Sequence, residues 1–249
     1  MRRTLRGAVA IAVLVHAPAT LSGQEANGAA DALRSGDYDE AVALYEDVVR
    51  AEPSNARARI DLMEALVAIG RYEDAVDVGR DAPDPGAVGH ATGRALLRLG
   101  RLDDAEAAFE LGAASDGPWA LTSEVELAEL HFNRGRIDEA MERFDRFIDV
   151  YNAADGRLGS RDLVAVGRAV RYLGRNQPAL FQDALRAFDE AAQADPTWSE
   201  PAVRLGALFL EKYDSPAAKA ELEKILAQNP RHPDALMVLA RALDFDRSP

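Results

Sequence analysis

Histidines, paired carboxylates and one glycine-rich turn are the residues from which this chain could build a reactive site. Its four histidines, His16, His90, His131 and His232, form neither an HExxH nor an HxH pair. Cysteine is absent, so no thiolate is available to a metal, a disulfide or a lipid anchor. The acid pairs Glu73-Asp74, Asp103-Asp104 and Asp138-Glu139 have the composition of a hydrolytic dyad. They recur, however, at one spacing that places each in the first turn of a helix, where negative charge favours the positive helix end. The stretch GAVGHATG (86–93) lacks the preceding strand and the lysine of a phosphate-cradling loop. These residues offer no catalytic, metal or cofactor constellation, and the expectation is a protein that is no enzyme and holds no cofactor.

The recurrence of the acids points to the elements that position them. Aligned on the alanine after each pair, the register runs Ala41, Ala75, Ala105, Ala140, Ala184 and Ala218, at spacings of 34, 30, 35, 44 and 34 residues. Four residues later stands a large apolar group, Tyr45, Phe109, Phe144, Phe188 or Leu222, with Gly79 the exception. Five residues earlier stands Gly36, Gly70, Gly100 or Gly135, and twelve later Pro53, Pro196 or Pro230. A second small residue recurs on the preceding helix as Ala29, Gly93, Ala128, Gly167, Gly206 and Ala240. Each has a physical role: glycine stops the first helix in a left-handed turn, small residues let two helices approach, the apolar residue fills between them, and proline ends the second helix. Ala, Leu, Glu, Asp and Arg dominate, no alternating strand pattern stands out, and the class is all-α.

Period and residue types together resemble the tetratricopeptide repeat family, whose unit is a helix–turn–helix of about 34 residues. The resemblance implies a right-handed superhelical solenoid of antiparallel helix pairs. It divides the chain into about six units, at 24–54, 55–85, 86–117, 118–154, 160–196 and 197–230, followed by a terminal helix at 232–245. Three irregularities stand out. The second unit's outer helix is truncated near Arg80, that of the fourth is extended before GRLGSRD, and Gly174 to Ala184 spans ten residues instead of five. The last helix is more apolar than a cap needs, so the chain is read equally as complete or as the first part of a longer protein.

The N-terminus reads as an export leader over 1–23. Arg2, Arg3 and Arg6 precede the apolar run Gly7 to Val15, which is too short to cross a bilayer, and small residues offer cleavage before Gln24 or after Ala19. This implies an exported protein, periplasmic or secreted, with no stable membrane span after cleavage. Lys occurs only at 212, 219 and 224, a bias toward Arg that fits a high-GC bacterial genome. Net charge is −13, and loss of the leader deepens it by three. Nucleic acid is thereby excluded as a general partner, because phosphate contacts need a basic footprint.

In the family the first helix of each pair lines a concave groove that holds a protein or peptide. Carried over by alignment, the groove positions are Arg57, Ile60, Glu64, His90, Arg94, Arg98, Val125, Glu129, Asn133, Arg161, Val164, Arg168, Arg171, Tyr172, Val203 and Met237. Arginine gathers here in an acidic chain, and bidentate arginine suits carboxylates, so the expected ligand is an acidic or C-terminal peptide segment. The competing expectation is that these arginines pair with Asp and Glu of neighbouring helices. The family's chaperone-tail clamp is not implied, since Ala26, Ala30, Ile60 and Glu64 stand where its Lys and Asn belong. Trp119 and Trp198, at helix starts, are expected to staple repeats together. The expected function is a non-catalytic binding scaffold of the bacterial cell envelope. The alternative is the N-terminal recognition region of a longer secreted enzyme such as a peptidase.

Overall fold

The computed structural model describes residues 19–175, 177–212 and 214–246, and most of the expected leader lies outside them. Thirteen helices follow one another among the described residues: α1 Ala19–Ser35, α2 Tyr38–Ala51, α3 Ala56–Ala68, α4 Tyr72–Arg80, α5 Gly89–Arg98, α6 Leu102–Ala113, α7 Ala120–Asn133, α8 Ile137–Ala154, α9 Ser160–Leu173, α10 Pro178–Ala194, α11 Glu200–Glu211, α12 Ser215–Gln228 and α13 Pro233–Phe245. Each odd helix from α1 to α11 pairs with the even helix after it, and successive odd helices also pack on one another. The result is an all-α solenoid whose odd helices form the inner layer.

Local chemistry accounts for the repeat. Gly36, Gly70, Gly100 and Gly135 end the inner helices with φ between 73° and 86°, a region that glycine enters without a Cβ penalty. The aligned alanines are fully buried, as are the fillers Phe109, Phe144, Phe188 and Leu222. A Cβ added to Gly93 would stand 2.4 Å from Phe109, and one added to Gly167 would stand 2.5 Å from Phe188, so each filler ring packs directly on the glycine of its partner helix. The acid pairs sit exposed in first turns, and Arg71, Arg101 and Arg136 ahead of them bind Asp74, Asp104 and Glu139 at 2.5, 2.7 and 4.0 Å.

The irregularities fall where the period breaks. Helix α4 has only nine residues, α8 has eighteen, and most of the five extra residues before Ala184 lengthen α10 at its N-terminal end, giving it seventeen. On α13, Ala240 is exposed together with Leu236, Met237 and Leu243, because no even helix covers this face among the described residues.

The solenoid closes on itself. Asn229, which caps α12, donates its side-chain N–H to the Tyr38 hydroxyl at 3.0 Å across 191 positions, and both residues are buried. The Arg231 guanidinium lies 5.6 Å from the Tyr38 ring centroid. A Cβ at Gly36 would come within 2.2 Å of the Asn229 amide oxygen. On the inner face Asp234 of α13 reaches Arg98 and Arg94 of α5 at 3.4 and 4.0 Å. Charged side chains of the odd helices therefore meet on the inner face, which Asp234 bridges from the third unit to α13.

Candidate functional site

Most charged side chains of the inner helices that meet on this face bind one another. On α3, Arg57 bonds Asp61 at 2.8 Å, and Asp61 also accepts the Tyr45 hydroxyl at 3.2 Å. On α9, Arg168 bonds Glu126 at 2.9 Å and Glu129 at 3.0 and 2.7 Å, so it ties α9 to α7. Farther along, Arg171 bonds Glu211 of α11, with its Nε at 3.0 Å. Glu200 pairs with Arg204 at 2.6 Å. Burial alone would raise the Glu200 carboxyl, but Arg204, Arg94 and Arg168 hold it down to about 2.

Four inner-face residues keep unused hydrogen-bonding capacity among the described residues. Glu64 accepts no hydrogen bond, and burial followed by the Asp61 charge pushes its carboxyl up to about 7. Arg94 makes no hydrogen bond, its nearest carboxylate being Asp234 at 4.0 Å. His90 is 1% exposed and both ring nitrogens lack partners. Burial, with Arg94 next, lowers it to about 3, so the ring is neutral at physiological pH. Arg161 has no ion pair, and its guanidinium lies over two indoles, 4.4 Å from Trp119 and 5.5 Å from Trp198. His90 stacks on Trp119 at 4.0 Å and 7°. Two planar groups this close to one ring centroid must take opposite faces, so His90, Trp119 and Arg161 form a ladder linking the third, fourth and fifth units. The expected stapling by tryptophan takes this form.

The structure thus divides the aligned groove positions. Arg57, Arg168, Arg171 and Glu129 are engaged in ion pairs, and Arg98 is joined to Asp234. Asn133 is exposed at the end of α7. Tyr172 stacks on Phe144 at 4.5 Å and meets Phe132 edge-on at 4.9 Å. Ile60, Val125, Val164 and Val203 are not groove residues: each is at most 4% exposed and packs in the core. On a helix one residue is about 100° of rotation, so a small error in alignment turns a groove position inward. Alignment missed Glu126, Glu200 and Asp234, which complete the charge network. It also missed Arg175, Phe181 and Lys212, which line a cleft of about 390 Å³ with Arg171 and Tyr172. The expanded spacing before Ala184 was the signal for that cleft.

No cluster of three His, Asp or Glu side chains among the described residues could hold a metal ion. No described helix is long and apolar enough to cross a membrane.

Comparison with known proteins agrees with this architecture. Tetratricopeptide repeat family profiles match residues 32–87, and residues 90–157 and 203–244. A curated relative, "Protein CTR9 homolog" of Arabidopsis thaliana, is 31% identical over 137 residues, 53% of this chain and 11% of that protein. This chain therefore spans only about a tenth of that relative's length. Among solved structures, the human IFIT1 dimer with PPP-AAAA aligns with a TM-score of 0.51 and 14% identity over 85% of this chain and 56% of that one. PilW, described as a type IV pilus biogenesis factor, aligns with a TM-score of 0.47 and 19% identity over 88% of this chain and 98% of that one. At 14% identity the likeness to the IFIT1 dimer is one of fold. Such repeats support a protein-interaction scaffold. By its repeat register, its paired helices and the family profiles it matches, the chain belongs to the tetratricopeptide repeat family.

Proposed function

We propose that this protein is an exported, non-catalytic scaffold of the bacterial cell envelope, periplasmic or secreted, that holds a protein or peptide partner with an acidic or C-terminal carboxylate segment on its concave face. The observation that carries the reading is the unused capacity of Arg94 and Arg161. These two guanidiniums lie on the inner face of a strongly acidic chain, and neither makes a hydrogen bond to a carboxylate among the described residues. An arginine already oriented by aromatic stacking loses little freedom on binding a carboxylate. Arg57, Arg98, Arg168 and Arg171 serve in this reading as the framework that holds the inner helices in place, with Glu64, His90, Glu129, Asn133 and Tyr172 around them.

Cross-linking in the source organism, followed by pull-down with wild type and with Arg94→Ala/Arg161→Ala, tests the reading. A specific partner captured by wild type and lost by the variant, at unchanged helical circular dichroism, is the expected result. Capture that is indifferent to both arginines would overturn the groove assignment. Export is tested by N-terminal sequencing of the cellular protein: a chain that retains Met1 overturns it, and one that starts near Gln24 supports it. The uncovered apolar face of α13 favours a second reading, in which this chain is the recognition region of a longer secreted enzyme such as a peptidase. An open reading frame that continues into a domain bearing HExxH would favour that reading over the first.

A further inference from the structure

The fifth unit passes from its first to its second helix differently from the four before it, and its second helix starts earlier relative to the aligned alanine. Gly174 keeps a right-handed backbone with φ −66°, unlike the left-handed glycines that end α1, α3, α5 and α7. The chain then folds back, so that the backbone nitrogen of Phe181 lies 3.3 Å from where a Gly174 Cβ would stand. This puts the Phe181 ring beside the end of α11, with the Lys212 ammonium 4.6 Å from its centroid. Opposite stands Tyr172, fixed against Phe144 and Phe132. The Arg175 guanidinium lies 5.3 Å from the Phe132 ring centroid. Between these groups is the cleft of about 390 Å³, large enough for a side chain and its neighbours.

Charge in the cleft runs against that of the whole chain. Three cations, Arg171, Arg175 and Lys212, face one carboxylate, Glu211, which Arg171 already binds. Arg175 and Lys212 are exposed and have no carboxylate partner among the described residues. We propose that this cleft seats one peptide carboxylate flanked by an apolar side chain. Arg175 and Lys212 take the carboxylate, and the rings of Phe181 and Tyr172 take the apolar neighbour. A single carboxylate matches the two uncommitted cations better than a polyanion does, because the −13 chain opposes each further negative charge. Arg171 and Tyr172 belong to the concave side of α9, so a peptide leaving the cleft continues along the inner face. The inference rests on the proposed peptide-binding function and adds its specificity.

The test is fluorescence anisotropy with fluorescein-labelled probe peptides. One pair carries an internal Glu or Gln between two Phe with an amidated end. A second pair ends in Ala-Phe with either a free or an amidated C-terminus. The carboxylate member of at least one pair is expected to bind the wild type at least about tenfold more tightly than its neutral counterpart. Which pair shows the preference distinguishes a side-chain from a terminal carboxylate. Arg175→Met/Lys212→Met keeps the aliphatic stems of exposed residues, so folding is spared, and should erase the preference. Arg50→Met, an exposed cation in the last turn of outer helix α2, should leave it intact. Carboxylate-dependent binding that survives the double variant but fails in Arg94→Ala would overturn the cleft while leaving the groove reading standing. No binding of any probe by wild type, with a partner still captured from cells through Arg94 and Arg161, would likewise overturn the cleft alone.

Discussion

Arg168 provides the sharpest test of how the inner layer is held together. Its side chain is 4% exposed, and it bridges Glu126 and Glu129, which are 9% and 16% exposed. In Arg168→Met the hydrocarbon volume is largely kept, but two carboxylates are left without their bonded cation. Breaking a buried pair from one side costs about 3–5 kcal/mol, so the midpoint of urea unfolding at about pH 7, followed by helical circular dichroism, should fall steeply. The pH dependence identifies the cause. In the wild type, burial alone would raise the Glu126 carboxyl, but Arg168 and Arg94 outweigh it and hold it below the usual range. Its contribution is thus present above the unfolded-state value, roughly 4.3, and is lost as pH falls through the lower folded value. Without Arg168 burial prevails, and the folded value moves above the unfolded one. The variant then suffers least below about pH 4.3 and loses stability as pH rises. Its deficit should shrink between about pH 7 and about pH 5. Further replacement of Glu126 and Glu129 by Met should restore most of the loss, since an apolar triad needs no counter-charge. A loss under about 1 kcal/mol, or one that does not change with pH, would refute the buried triad.

Three further outcomes follow from the same structure. Gly93→Ala gains about 1 kcal/mol in helix propensity but drives a methyl to 2.4 Å from the fully buried Phe109. Overpacking of about 1–3 kcal/mol should win and lower the melting temperature, so a rise would show that the helix pair has slack. Glu64 has a folded value raised to about 7, so its contribution is complete below the unfolded value and is lost as pH rises through about 7. Glu64→Gln should therefore stabilise the protein above about pH 7 and change little near pH 4, and a difference that is flat with pH would refute this. Asn229→Ala removes the bond that closes the solenoid and leaves the buried Tyr38 hydroxyl without it, at about 1–3 kcal/mol. Small-angle scattering should show a larger radius of gyration, and an unchanged radius would place the closure elsewhere.

The repeat was legible in the sequence because each of its causes is local. Gly36 ends α1, Ala41 of α2 is fully buried, Tyr45 bonds Asp61 only sixteen positions on, and Asn55 opens α3 by accepting the Ala58 N–H at 3.0 Å. Such contacts lie within about one repeat, so residue type and spacing report them directly. The breaks in the period were legible for the same reason: the short α4, the long α8 and the early start of α10 all fall where the spacing changes. The groove was read less well. Arg168 finds Glu126 and Glu129 about forty positions away, and Asn229 finds Tyr38 at 191. The first meeting depends on how one helix pair sits on the next, and the second on the sum of such steps along the stack, a quantity that no sequence window contains. The sequence by itself determined the family, the helix pairs, their stops and their core. Only the tertiary structure decided which inner arginines are tied to carboxylates, which stay available, and that the concave face closes. Pairing within a unit is fixed by adjacent residues, whereas charge pairing on the inner face is fixed by how units sit on one another, from neighbours for Arg168 to the curvature of the stack for Asp234 with Arg98.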